Sequence, residues 1–432
     1  MTKSTAAFTA ALVAALLTGT ALAEPLPKVD PGEVGLSQAQ LERVGERLRA
    51  DVEAGTIPGA VLLILRDDKI GYLEAFGHRD REAAAPMKED AIFRIYSMTK
   101  PITSVVAMQL VEEGKLALED PVAKYIPSFG DTQVGEVESD GSVSTRAASS
   151  PVTVHDLLRH TSGITYGVFG SSPIKDMYKE ARIGSGTMSG TDEAKALSGL
   201  PLVMDPGKGW EYGRSTDVLG AVIEAVENKP LGEVMKARIF DPLEMNDTAF
   251  HVADEADRER VAQPQKDPET GKAPTLLDET KAPVYESGGG GLFSTARDYA
   301  RFAAAMLNGG ELDGARILSP QTVRYMTADH MGDIPHGVPD GVATIGYLPG
   351  PGYGFGLGFA VRTDDGVSPR PGNKGEYRWG GYAGTDFWAD PKEDLAVVYM
   401  MQAPSKRGMY RPLLRNLIYP AVMPMPESKG TQ

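Results

Sequence analysis

The chain has 432 residues; 44 Lys and Arg against 59 Asp and Glu leave a net charge of −15, and 41% of residues are hydrophobic. The absence of cysteine excludes disulfides, thiolate zinc sites, iron–sulfur clusters and cysteine nucleophiles, so covalent catalysis must run through oxygen or nitrogen. An acidic balance without a Lys/Arg run argues against nucleic acid as a partner and favours a small, neutral one.

Lys3, an apolar stretch over 6–17 and the ending Ala21-Leu22-Ala23 match a secretory signal peptide. Cleavage is expected after Ala23, giving an exported chain, periplasmic or secreted, with no membrane span. Residues 36–55 predict a helix: Ser37 and Gln40 as a capping box, Leu41, Val44 and Leu48 on one face, Gly55 at the stop. Runs at 60–65 and 70–76 around Asp67-Asp68-Lys69 predict a β-hairpin. From about 97 to 307 helical signals dominate, at 102–113, 153–160, 216–227 and 295–307, with Thr153/Asp156 and Thr295/Asp298 as capping boxes. Strand-like runs return at 356–361, 377–382, 386–389 and 395–401, and a helix is expected from about 409. Polar, Gly- and Pro-rich stretches at 130–150, 264–283 and 332–352 are expected as surface loops. The expected fold is α+β: an antiparallel sheet built from 24–95 and 345–432, a mainly helical region over 96–344, and a cleft at the seam.

The strongest chemical signal is Tyr96-Ser97-Met98-Thr99-Lys100 leading into an apolar helix. Ser97 and Lys100, three apart at a helix start, share one face, and the positive helix end favours negative charge developing at Ser97. A lysine takes a serine's proton only when neutral, which requires its pKa to fall from about 10.4 through burial or nearby positive charge. Ser172-Pro173-Ile174-Lys175 repeats the spacing, but Ser172 before Pro173 reads as a helix N-cap. No G-x-S-x-G or H-E-x-x-H string occurs, and His160 reads as a dipole partner in the last turn of its helix. The run Gly352-Tyr353-Gly354-Phe355-Gly356-Leu357-Gly358 neither follows a clear strand nor opens a helix, so it reads as a glycine-rich strand approach rather than a dinucleotide fingerprint.

With these residues in hand, the chain resembles the serine hydrolases related to class C β-lactamases, most closely the family VIII carboxylesterases. The likeness runs through 93–101, His160-Thr161-Ser162-Gly163, Trp210-Glu211-Tyr212, Asp241-Pro242-Leu243-Glu244-Met245, 288–294 and Trp379-Gly380-Gly381. It implies a β-lactamase/penicillin-binding-protein-like fold. It also implies Ser97 as acylated nucleophile, Lys100 as its proton partner, Tyr212 as base or proton shuttle, and an oxyanion hole from the backbone N–H groups of Ser97 and Tyr382. By the same likeness Trp379, Gly380 and Gly381 form an edge strand lining the cleft, with glycine admitting substrate to the backbone. Arg214 stands where relatives carry asparagine, and Trp379 where β-lactamases carry lysine; the indole favours uncharged substrates. Tyr166, Phe169, Tyr353, Phe355, Tyr382 and Trp388 are candidate apolar walls. The resemblance implies hydrolysis of uncharged carboxylic esters without metal or cofactor. The rival readings are a β-lactamase, a D-amino-acid peptidase, an acyltransferase, or a catalytically silent cell-wall binding relative.

Overall fold

The computed structural model describes residues 26–184, 188–336 and 350–426. The predicted leader and much of the loop expected at 332–352 lie outside these residues. An N-terminal helix α1 (Gln38–Glu53) precedes strands β1 (Gly59–Arg66), β2 (Lys69–Asp80) and β3 (Ala85–Pro86). These join five strands from the other end of the chain in one eight-stranded sheet, in the order Tyr353–Phe355, Ala360–Arg362, Tyr377–Gly380, Asp386–Asp390, Leu395–Met401, β1, β2, β3. Every pairing is antiparallel, with Leu63 of β1 opposite Val398 on one flank and Leu73 on the other.

The sheet is covered on both faces, which is why β1 reads as a continuous apolar run. Its alternate residues separate into two cores. Ala60, Leu62 and Ile64 pack with Leu41, Val44 and Leu48 of α1 and with Leu414 and Ile418 of the C-terminal helix Arg407–Ile418. Val61, Leu63 and Leu65 face the larger core, shared with α2 (Thr99–Glu112) and the helices Ser215–Glu227 and Ala296–Leu307. Among the described residues no helix is long and apolar enough to cross a membrane.

Several local expectations change. Ser37 caps α1 by accepting from Gln40 N, but the Gln40 side chain donates to Leu417 O, so the box is half made. Thr295 likewise caps its helix, while the Asp298 carboxylate is taken by Asp247 N and Thr248. Within 130–150, Gln133–Val137 and Val143–Ala147 form a hairpin rather than a loop. Its alternation is masked by polar residues; what holds it is exchange of backbone hydrogen bonds between 133–135 and Leu202. Most of the run expected as a strand at 356–361 is a turn, 356–359, which joins the short strands Tyr353–Phe355 and Ala360–Arg362. Gly358 lies at φ +93, where a Cβ would fall 2.3 Å from Ser104 Oγ, so glycine there lets the turn press onto α2. Tyr377–Gly380 is an interior strand; only Ala360 and Val361 pair with it on one flank, which leaves that side of Trp379 turned to the cleft.

Candidate active site

Ser97 sits in a single 3-10 turn, Tyr96–Met98, immediately before α2 rather than in the helix proper. Tyr96 adopts φ +44, an uncommon conformation for a residue with a side chain. It is held by its hydroxyl, which accepts from Leu277 N at 3.0 Å, and by the edge of its ring against Tyr382. Lys100 follows in the first turn of α2, and Tyr212 arrives from the segment before the helix Ser215–Glu227.

The three side chains meet. The Tyr212 hydroxyl donates to Ser97 Oγ at 2.7 Å, and Lys100 Nζ donates to the same oxygen at 3.3 Å. Lys100 Nζ also donates to the Tyr166 hydroxyl at 3.0 Å and to Gly289 O at 2.5 Å, and lies 4.8 Å from the centroid of the Tyr212 ring. Trp379 Nε1 donates to the Tyr212 oxygen at 3.4 Å. Tyr166, expected only as an apolar wall, therefore presents its hydroxyl to Lys100.

The lysine's charge state reverses the expectation of a neutral base. Lys100 is only 1% exposed, and burial pulls its pKa down. The phenolic oxygens of Tyr166 and Tyr212 beside it, together with the Asp217 carboxylate, outweigh burial and raise it above the ordinary lysine value. An ammonium has three protons and no acceptor, and here three oxygens receive them. Tyr166 is pushed up to about 12, mainly by burial and against the pull of Lys100, so it stays a neutral phenol.

Asp217, in the first turn of its helix, stands in the stretch of likeness that follows Tyr212, but the sequence assigns it no role. It is buried, and its Oδ1 accepts from Tyr285, Ser287 and Gly289 N. It thereby fixes the loop whose Gly289 carbonyl receives Lys100. A Cβ on Gly289 would fall 2.5 Å from Asp217 Oδ2, so the glycine run is the legible trace of this contact. Asp217→Asn keeps the shape and removes the charge. Lys100 then holds its proton less tightly, the ammonium is lost at lower pH, and the alkaline limb of kcat/KM moves down by roughly one pH unit. A pH–rate profile checks this; a uniform drop with an unmoved limb would mean Asp217 acts by shape alone.

Lys175, from the decoy motif, makes a buried ion pair with Glu211 at 3.0 Å. Glu211 also accepts from the Thr165 hydroxyl, tying together the two segments that carry Tyr166 and Tyr212. Ser172 caps the helix Pro173–Glu180 by accepting from Lys175 N, as its sequence context predicts. His160 is not a helix-end partner: it lies beyond the helix Val154–Leu158 at φ +60, fully buried, with burial pushing its pKa well below the usual value. Its neutral ring packs on Trp210, Tyr212 and Phe355.

Of the six candidate walls, Tyr166, Phe169 and Tyr382 line the cavity at Ser97. Phe355 belongs to the aromatic cluster behind Tyr212, and the Tyr353 hydroxyl donates to buried Glu376. Trp388 faces the opposite core, under Arg415, because consecutive strand residues point to opposite faces. Gly380 and Gly381 line the cleft, but protein packing explains them. A Cβ on Gly381 would lie 2.4 Å from Ile95 O, and one on Gly380 2.5 Å from Asp386 Oδ1. Arg214 lies over the Tyr166 ring, donates to Ile183 O at 2.9 Å and faces Asp217 Oδ2 at 3.8 Å.

A sheet of this topology with serine, lysine and tyrosine converging at its seam defines a β-lactamase-type serine hydrolase. The family model described as Beta-lactamase matches residues 44–418, and the chain belongs to that family, in its esterase branch. Esterase EstB of Burkholderia gladioli is 32% identical over 421 residues, covering 90% of this chain and 98% of its own. An uncharacterized protein of Mycobacterium tuberculosis is 36% identical over 363 residues, covering 82% and 88%. Among solved structures, EstCE1, described as a hydrolase with promiscuous acyltransferase activity, superposes with a TM-score of 0.73 at 27% identity, covering 88% of this chain and 99% of its own.

Proposed function

We propose that the protein hydrolyses uncharged carboxylic esters through an acyl-enzyme on Ser97. The observation that carries this reading is the pair of hydrogen bonds converging on Ser97 Oγ from Tyr212 and Lys100. Lys100 keeps its protons on three acceptors, so the base for Ser97 is Tyr212 in its phenolate form, whose charge the adjacent ammonium stabilises and whose hydrogen bond with Ser97 Oγ then runs in the opposite direction. The backbone N–H groups of Ser97 and Tyr382, which both border the cavity, are assigned to the oxyanion, a contribution of about 3–4 kcal/mol per donor. Trp379 in place of a cation supports the preference for uncharged substrates. From the leader predicted over 1–23 we further propose that the enzyme works after export.

Acid release from ethyl butyrate, followed by titration, tests the activity. A fluorophosphonate probe should add to Ser97 and abolish turnover together. Full turnover after complete labelling, or labelling elsewhere, would defeat the assignment. Acyl transfer to an alcohol is the second reading, favoured by the activity described for EstCE1. A new ester formed when a second alcohol is added would distinguish it from hydrolysis.

A further inference from the structure

The space at Ser97 is divided unequally, and the division distinguishes the two halves of an ester. Of the two hollows that meet at Ser97, one is a cavity of about 460 Å³ whose wall includes Tyr96, Val168, Phe169, Phe250, Leu277 and Phe293. Charged groups along it are matched: Arg214 faces Asp217 at 3.8 Å, and Lys281 pairs with Asp278 at 2.8 Å. The other, which shares Phe169 and Tyr382 with it, is a chamber of about 30 Å³ bordered by Tyr212, Trp379 and the ion-paired Arg378 and Arg411. One water needs roughly 10–15 Å³ on this measure, so the small chamber holds about two water-sized groups. The larger cavity falls within the roughly 300–1,000 Å³ of pockets that bury whole organic ligands.

Tyr212 borders the small chamber and, among the described residues, takes no part in the wall of the large one. A leaving alkoxide must be protonated as it departs, so it leaves on the side where the proton donor lies. We infer that the large cavity holds the acyl group and the small chamber the alcohol. The substrates are then esters of a bulky, uncharged, apolar acid with a small alcohol. This rests on the serine-esterase reading above.

Ser97 Oγ bonds to the carbonyl carbon as its proton passes to Tyr212 in its phenolate form, and the carbonyl electron pair moves onto the oxyanion. The bond from that carbon to the alkoxy oxygen breaks, and the alkoxide takes the proton from Tyr212 and leaves as the small alcohol. Water enters the vacated chamber, gives a proton to Tyr212 and bonds to the acyl carbon. The bond to Ser97 Oγ then breaks, Ser97 recovers the proton, and the acid departs from the large cavity.

Two isomeric esters test the assignment: methyl 5-phenylpentanoate and 4-phenylbutyl acetate contain the same atoms with the bulky half exchanged. The methyl ester should be favoured in kcat/KM by at least about tenfold, the scale on which apolar pockets discriminate. Equal rates or a preference for the acetate overturn the assignment while leaving the esterase reading in place, provided ethyl butyrate is turned over by Ser97. Turnover of none of the three esters sinks both. Gly290→Val gives a second measurement. Gly290 lines the large cavity, and a Cβ there meets nothing closer than 3.6 Å, so the variant should fold and narrow the acyl side. It should lower the preference for methyl 5-phenylpentanoate over its isomer at least about threefold; an unchanged ratio overturns the inference.

Discussion

Ser97→Ala should reduce ester turnover by at least about 10⁴-fold, because no acyl-enzyme can form and the remaining groups offer only positioning and charge stabilisation. The fold should survive. The hydroxyl bonds to Tyr212 and Lys100 inside the site rather than to the framework, and the turn is built by backbone contacts such as Met98 N to Ile95 O. Titration of acid released from ethyl butyrate measures the loss, and intact-protein mass after fluorophosphonate treatment should show no adduct. Retained turnover would place the nucleophile elsewhere.

The next largest effect is expected of Tyr212→Phe, a fall of about 10²–10⁴-fold in kcat, the range for losing a general acid or base. Phenylalanine keeps the ring, its stack on Trp210 at 5.9 Å and the face it offers Lys100 at 4.8 Å. The variant should therefore bind substrate and unfold near the wild-type temperature. What is lost is the oxygen 2.7 Å from Ser97, the acceptor of its proton. Rapid-quench measurement of acylation and deacylation separates the steps, and both should slow because the same oxygen serves each. A variant that kept wild-type kcat would transfer the base role to Lys100 and contradict the protonated state its three acceptors enforce.

Where elements were legible, their signals were local. The spacing of Ser97 and Lys100, the cap at Thr153 with Asp156, and the continuous apolar run of β1 each involve neighbours within about one turn or a few strand residues. Tyr212 was found through resemblance, since 115 residues separate it from Ser97 and no periodicity connects them. Tyr166 was legible as an aromatic near the site but not as a hydroxyl partner of Lys100, because a side chain's polar tip is oriented by packing. The hairpin over Gln133–Val137 and Val143–Ala147 escaped notice because half-polar ribbons resemble loops until their partner, Leu202, is in place. Trp388 failed as a cavity wall for a simpler reason: the face a strand residue occupies depends on register, and shifting register by one residue reverses it.

The sequence by itself determined the kind of chemistry available: no thiol, a serine and a lysine one turn apart, and a sheet whose central strand is apolar on both faces. Only the tertiary structure decided the charge on that lysine. A cation's proton affinity depends on every dipole and charge within several ångströms, and those at Lys100 come from Tyr166, Tyr212, Asp217 and Gly289, brought together by folding from segments far apart in the chain.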